Sequence, residues 1–525
     1  MPPGPVRVLM VSSEVESLAR TGGLGDAVEA LSRALARLGA DVVVATPKYG
    51  VTRVPAGVRS WPGPAVAPLG LGHARWLGVL EARLTGWSSP ARVAGEAEAS
   101  RAPRATLLCD AQLFERDGIY GDRRGTFTDN PFRFATMSSG ALAVAERAWG
   151  GELPDVVHAH DWHAALSIVY ARRTRGPAWA RVPSVLTIHN LAFQGVVAPS
   201  ELDYLGIPRD AWESGWLRHD GAINLMKGGI ELADRVTTVS ETYAREIQRW
   251  PSGYGLDAHL RWHTGKLVGI VNGIDTESFD PGTDGAIAYR YNQADAIEGK
   301  RACKQALCAE LGLGGEGPLI GVVSRLQWLK GIDLLLAIMP ALVERGARLA
   351  IVGTGEPELE HALREAAWRW PGRVATRIAF DPMLARRIFA GADFLAVPSR
   401  DEPCGLTQLY AMRYGAIPIV TPVGGLRDTV EPFDVAHAKG TGVVAAAADP
   451  GSLLIACEDA LALWRDPIGL SSLVARAMAR DSSWGPSAKK YLSLYEALRP
   501  AGPGKAAGAA DATSTASAAG ASKRP

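Results

Sequence analysis

Cysteine is scarce. Only Cys109, Cys303, Cys308, Cys404 and Cys457 carry a thiol in 525 residues, an odd number scattered along the chain. No disulfide framework and no zinc ribbon can be built on that spacing, which points to a reducing, cytoplasmic compartment. Long apolar runs are missing too. None approaches the roughly 20 residues that cross a bilayer, so no membrane partner is expected. Excess charge of either sign is also absent, with 56 Lys and Arg against 55 Asp and Glu for a net charge of +1. That balance excludes a polybasic nucleic-acid binder and an acidic solvating chain. The apolar stretch at 8–11 is too short for a secretory signal core and runs directly into Ser12, Ser13 and Glu14, so it reads as a buried strand.

What is present is enough for a large core. Hydrophobic residues make up 47% and charged residues 21% of the chain, a length that suits two to four domains. The pattern is strand, loop, helix, repeated. Apolar strands are predicted at 6–11, 42–44, 156–159, 185–188 and 236–239, and a helix from Asp26 carries Val28, Leu31, Leu35 and Leu38 on one face before Gly39 ends it. The rhythm restarts after Asn272-Gly273 and a Pro/Gly/Asp-rich stretch, with strands at 319–323, 349–352, 394–397 and 417–420. Strands alternating with helices predict parallel, doubly wound sheets, here two of them. The predicted division is a domain over 1–268, a second over 269–482, a final amphipathic helix over 483–499 and a disordered Ala/Gly/Ser/Thr-rich tail over 500–525. In open parallel sheets ligands bind beyond the carboxyl ends of the strands, so the expected site is the cleft between the two halves.

Several strand-end segments carry chemistry. Arg20-Thr21-Gly22-Gly23-Leu24-Gly25-Asp26 joins the first strand to a helix, where paired glycines permit close backbone approach and helix-start N–H groups favour an anion. It is neither a dinucleotide fingerprint nor a Walker loop, and a simple tight turn fits it as well. Arg325 and Lys330 stand five residues apart after another strand and can clamp a diphosphate, a fork beside a point charge. In Glu402-Pro403-Cys404-Gly405-Leu406-Thr407-Gln408, the Glu402 carboxylate can accept bonds from sugar hydroxyls, and the amides of Cys404, Gly405, Leu406 and Thr407 face a bound anion or sugar. Cys404 has no histidine nearby in sequence, so no nucleophile is assigned. Gly424-Gly425 forms a second glycine pair at a helix start. In His158-Ala159-His160-Asp161-Trp162-His163, alternation puts His158 and His160 on one face. No carboxylate–histidine helix motif accompanies them, so a sugar-pocket rim of Asp161 and Trp162 is preferred to a metal site. His189-Asn190 is a further strand-end polar pair.

Together these segments resemble bacterial glycogen synthases and plant starch synthases, retaining glucosyltransferases of the two-Rossmann GT-B fold. The matching stretches include RTGGLGDAVEAL, FTDNPFRF, DVVHAHDWHAAL, TIHNLAFQG, GIVNGID, VVSRLQWLKGIDLLL, EPCGLTQ and TPVGGLRDTV, in family order over about 6–498. The resemblance implies transfer of glucose from ADP-glucose to the 4-OH at the non-reducing end of an α-1,4-glucan such as glycogen, with no metal or cofactor. It implies that Arg325 and Lys330 neutralise the leaving diphosphate and that Glu402 with the Cys404 and Gly405 backbone holds the donor glucose. His189 and Asn272 would line the sugar site, and Asp161 would lie on the acceptor side with Trp162 and Asn190. Arg20, Gly22 and Gly23 would face the donor phosphate from the first domain, and Leu406, Thr407, Gly424 and Gly425 from the second. Three positions depart from the usual pattern: Arg20 replaces Lys, Gly25 replaces Ala and Phe380 replaces Tyr. Tyr410 stands where many other retaining transferases carry a second Glu, which favours the synthases. The alternatives are a UDP-glucose-dependent relative with another acceptor and a catalytically weak glucan-binding homologue.

Overall fold

The computed structural model describes residues 4–85, 101–434 and 437–499. The tail expected to be disordered, 500–525, lies outside the described residues.

The first lobe is built on a ten-stranded sheet. Seven parallel strands run in the order Leu267–Gly269, Arg235–Thr238, Ser184–Ile188, Val156–His160, Arg7–Val11, Asp41–Pro47 and Arg104–Cys109. Beyond them Ala74–Arg83 adds antiparallel and pairs in turn with Arg59–Ser60 and Ala65–Pro68. The inner strands Val156–His160 and Ser184–Ile188 are buried at every position, as strands covered on both faces are. The helix Gly23–Arg37 lays Leu24, Val28, Leu31 and Leu35 on the sheet and stops at Gly39, whose φ of +94° is a left-handed turn suited to glycine.

The second lobe holds six parallel strands in the order Val374–Ile378, Arg348–Gly353, Leu319–Val323, Phe394–Val397, Ile417–Val420 and Val443–Val444. Its core is one contiguous cluster. The helix Trp484–Leu498 then leaves this lobe and buries Trp484, Ala488, Tyr491 and Tyr495 beside Val8, Met10, Val28 and Leu31 of the first. Its Tyr495 hydroxyl meets His158 Nδ1 at 2.7 Å, so His158 lies under this helix and is fully buried.

Strand order reverses in each sheet at its first strand. Arg7–Val11 lies between Asp41–Pro47 and Val156–His160, and Leu319–Val323 lies between Arg348–Gly353 and Phe394–Val397. At such switch points the neighbouring loops splay apart and leave a crevice. The architecture is the α/β, two-lobe arrangement expected. Among the described residues no helix is long and apolar enough to cross a membrane.

Candidate active site

Each switch point brings two loops together. In the second lobe the loop after Leu319–Val323 meets the loop after Phe394–Val397. Gly331, at φ +67°, packs so closely that a Cβ there would lie 1.9 Å from the Pro398 carbonyl oxygen. The Arg400 N–H donates to the Leu329 carbonyl at 2.8 Å. This contact places Lys330 Nζ 2.8 Å from Glu402 Oε1, and the Ser399 hydroxyl donates to Glu402 Oε2 at 2.8 Å. Both members of the ion pair are 14% exposed, sheltered yet open on one side. Arg325 is not drawn into the pair. It is exposed at its strand end, and its guanidinium makes no hydrogen bond or ion pair among the described residues.

The Glu402–Leu406 loop is locked from the other side by the second glycine pair. Gly425 donates to the Glu402 carbonyl at 3.0 Å, and a Cβ on Gly425 would fall 1.8 Å from the Cys404 carbonyl oxygen. Gly405 has φ +67° and leaves room for Gln408, whose amide donates to the Gly405 carbonyl at 2.7 Å. Leu406 and Thr407 start the helix that follows. The Cys404 thiol is pushed up to about 12 by burial, opposed by the backbone of Asn272, which is itself buried. A thiol so protonated is no nucleophile at neutral pH.

In the first lobe, Asp161 starts the helix Asp161–Arg173 with a left-handed φ of +57°, unusual for a non-glycine residue. Its Oδ1 accepts from the His189 N–H at 2.7 Å and the Asn190 N–H at 3.4 Å. Burial raises its pKa to about 7, partly offset by those two N–H groups. His189 Nε2 lies 3.0 Å from His160 Nδ1. Burial holds His189 down to about 3 and His160 well below its usual range, so both rings are neutral. The structure thus brings Asp161, His189 and Asn190 together. Trp162 packs beside Gly195, on the same loop as His189 and Asn190. Its ring lies edge-on to Phe134 at 5.4 Å and covers Gly195, where a Cβ would sit 2.3 Å from the indole.

The first glycine turn differs from the expectation of free phosphate-facing amides. The Thr21 and Gly22 N–H groups donate to Glu14 Oε2 at 2.7 and 3.0 Å. The Tyr120 hydroxyl donates to Glu14 Oε1 at 2.6 Å. Glu14 is buried and was not singled out from sequence, although a carboxylate three residues past a strand end was a usable signal. Tyr120 had no such signal, since 106 residues separate it from Glu14. Arg20 bonds Asp26 and reaches Glu16 at 3.2 Å, so its charge is spent within its own loop. A Cβ at Gly25 would lie 3.0 Å from Arg20 Cβ and 3.2 Å from the Glu16 backbone nitrogen. Tyr410 stacks on Phe279 at 4.0 Å.

The two lobes meet across the crevice through directed bonds. Thr242 donates to Asp428 through N–H at 2.8 Å and through its hydroxyl at 2.6 Å. The Gly424 N–H donates to Glu246 at 3.1 Å, and the Tyr254 hydroxyl donates to Asp401 at 2.9 Å. Gly23 comes within van der Waals reach of Leu406, 3.6 Å from its would-be Cβ.

Comparison with known proteins gives this arrangement its family. Residues 7–262 match the family described as starch synthase catalytic domain, and 317–462 match glycosyl transferases group 1. A glycogen synthase of Myxococcus xanthus is 42% identical over 94% of this chain and 99% of its own length. A glycogen synthase 2 of Agrobacterium fabrum is 41% identical over 94% and 93%. Among solved structures, the catalytic domain of starch synthase IV from Arabidopsis thaliana, bound to ADP and acarbose, superposes with a TM-score of 0.83 at 29% identity over 94% of this chain and 99% of that one. A sucrose-phosphate synthase from Thermosynechococcus elongatus, 19% identical with a TM-score of 0.56, shares the fold. The chain belongs to the glycogen and starch synthase family of glycosyltransferases.

Proposed function

We propose that this protein elongates an α-1,4-glucan such as glycogen by moving glucose from ADP-glucose to a non-reducing-end 4-OH, with retention at the anomeric carbon. The observation that carries the reading is the sheltered Lys330–Glu402 pair beside the uncommitted Arg325, at the switch point of the second lobe. Similarity to glycogen synthases over nearly the whole chain favours this over a small-acceptor transferase or a non-catalytic scaffold.

The diphosphate lies against the 324–331 loop. Lys330 gives one N–H to Glu402 and keeps two for phosphate oxygens, while Arg325 adds a planar fork. As the bond from C1 to the phosphate oxygen breaks, these cations and the helix-start amides of Cys404 to Thr407 neutralise the growing charge, while Gly424 and Gly425, whose N–H groups go to Glu246 and to the Glu402 carbonyl, brace the donor loop. The cations and amides are fixed before the reaction and so cost little reorganisation. The metal-free chemistry proposed here rests on that supply of positive charge. The acceptor 4-OH attacks C1 on the face the diphosphate leaves, and its proton passes to the departing phosphate oxygen.

Glu402 holds the donor glucose, with His189 and Asn272 lining the sugar. Asp161 and Asn190 meet the acceptor, with Trp162 shaping the wall behind them. Gly22, Gly23 and Arg20 close over the phosphate from the first lobe, a step in which substrate displaces part of the Glu14 contact. The interlobe bonds of Thr242 and Glu246 hold the crevice shut and exclude water, which limits hydrolysis of the donor. The five thiols are unpaired, in keeping with the cytoplasmic setting proposed here.

The test is a donor comparison. Purified protein with glycogen primer is given ADP-glucose or UDP-glucose, and nucleoside diphosphate release is measured with and without primer. Primer-dependent release from ADP-glucose, exceeding that from UDP-glucose, is expected. Preference for UDP-glucose, or release that ignores the primer, would replace this reading.

A further inference from the structure

The first lobe carries a histidine–carboxylate cluster that glucosyl transfer does not use. Glu231, on the helix Leu225–Leu232, faces His259 and His263, four residues apart on and just past the helix Asp257–Trp262. Residues four apart share one helix face, so both imidazoles point the same way. Glu231 Oε2 lies 2.8 Å from His263 Nε2 and 3.6 Å from His259 Nε2, and the three ligand atoms fall within 4.8 Å of one another. Zinc bonds of about 2.0–2.1 Å at tetrahedral angles place neighbouring ligand atoms about 3.3 Å apart, a value these two distances bracket.

The surroundings are those of a ligand set. His259 Nε2 is buried with no hydrogen-bond partner, and the ring's other nitrogen bonds the backbone of Lys227. A backbone carbonyl on one ring nitrogen, with the other left as a lone pair, is the usual way a metal-binding histidine is oriented. Glu231 is 32% exposed, which leaves an entry path and a fourth position for water. The nearest ammonium groups are turned aside: Lys266 Nζ bonds the Glu231 and Ala233 carbonyls, and Lys227 Nζ bonds those of Gly215 and Arg218.

We propose that Glu231, His259 and His263 form a divalent transition-metal site of the zinc type that cross-links two helices at the edge of the first lobe, apart from the sugar-nucleotide crevice. Binding of the ion replaces the His263 Nε2 to Glu231 contact; the ring hydrogen sits on Nδ1 in the bound state, which leaves an Nε2 lone pair and the Glu231 carboxylate oxygen for the metal.

The experiment uses the full, untagged chain stripped with a chelator. Zinc is titrated calorimetrically, and cobalt is used as an optical probe. The expected result is one zinc per chain, visible cobalt bands of a nitrogen–oxygen site, and a melting temperature that rises with zinc. Glu231→Gln, His259→Ala and His263→Ala should each weaken binding at least tenfold and lose the cobalt bands, while glucosyl transfer without zinc stays at the wild-type rate and certifies the fold. Binding should persist in His361→Gln and Cys109→Ser. Zinc uptake equal in wild type and in the Glu231→Gln, His263→Ala double variant, or no uptake by the wild type, would overturn the proposal.

Discussion

The two lobes present the same structural device to the crevice and use it in opposite ways. Each has a parallel sheet, a reversal of strand order and a glycine-bearing turn into a helix. In the first lobe the Thr21 and Gly22 amides are taken by Glu14, the Arg20 charge is taken by Asp26, and the remaining polar groups are neutral rings and a carboxyl with a raised pKa. In the second lobe Arg325 is uncommitted and Lys330 is only partly spent on Glu402. The difference teaches that a cation at a strand end serves a ligand according to what the protein already sets against it: Arg20 is held by Asp26 and Glu16, whereas Arg325 has no such partner among the described residues.

The largest effect that bears on this contrast is loss of a second-lobe cation. Lys330→Ala or Arg325→Ala is expected to lower turnover at least ~100-fold, as removal of one fixed donor to a developing oxyanion does. Glu402→Ala should be severely impaired yet folded. Nucleoside diphosphate release measures all three, and near-normal rates in both cation variants would erase the contrast between the lobes.

A smaller effect separates the two glycine turns. Gly425→Ala forces a Cβ to within 1.8 Å of the Cys404 carbonyl oxygen and should destabilise the protein by about 2 kcal/mol, as overpacking does. Gly22 has extended backbone and nothing within 4 Å of its would-be Cβ. Gly22→Ala should therefore change stability by no more than about 0.5 kcal/mol while still slowing transfer, because the open space is the donor's. Urea denaturation paired with the transfer assay checks both. Unchanged activity in Gly22→Ala would remove that turn from the donor site.

The last test reads a pH dependence and concerns Asp161. Its folded pKa of about 7 stands above the ordinary 3.8, so between those values the folded state holds a proton that the unfolded state has released. Its contribution to stability therefore falls as pH rises from about 4 to about 7 and is constant above, with a slope of at most ~1.4 kcal/mol per pH unit. Asp161→Asn keeps an oxygen for the His189 N–H and lacks this slope. Urea midpoints of both proteins at pH 5, 6, 7 and 8 should show the wild type losing ground to the variant up to pH 7 and no further.

Much of this was legible beforehand. The strands at Leu319–Val323, Phe394–Val397 and Ile417–Val420 match their predicted bounds, because strands buried on both faces read as plain apolar runs. The antiparallel edge, Ala65–Pro68 and Ala74–Arg83, is not legible in the sequence. Its alternating buried and exposed residues include an exposed Trp76 and carry no continuous apolar signal. The residue type of Trp162 and its place after a strand suit a pocket rim, and only the tertiary structure shows that Gly195 opens the slot its indole fills. The Glu14 carboxylate escaped notice because its partners, apart from the nearby turn, arrive from Tyr120 on a distant loop.

Sequence alone determined the strand–helix alternation, the two-lobe plan and the residue types at the strand ends, since these depend on periodicity and local turn chemistry. Tertiary structure decided which of those residues meet. Lys330 and Glu402, 72 positions apart, become a pair because strand order reverses between their strands. His158 is withdrawn from the crevice because a helix from the far end of the chain covers it. Charge and protonation at the crevice follow from such non-local contacts, because they set how far each group is removed from water and what it faces once there.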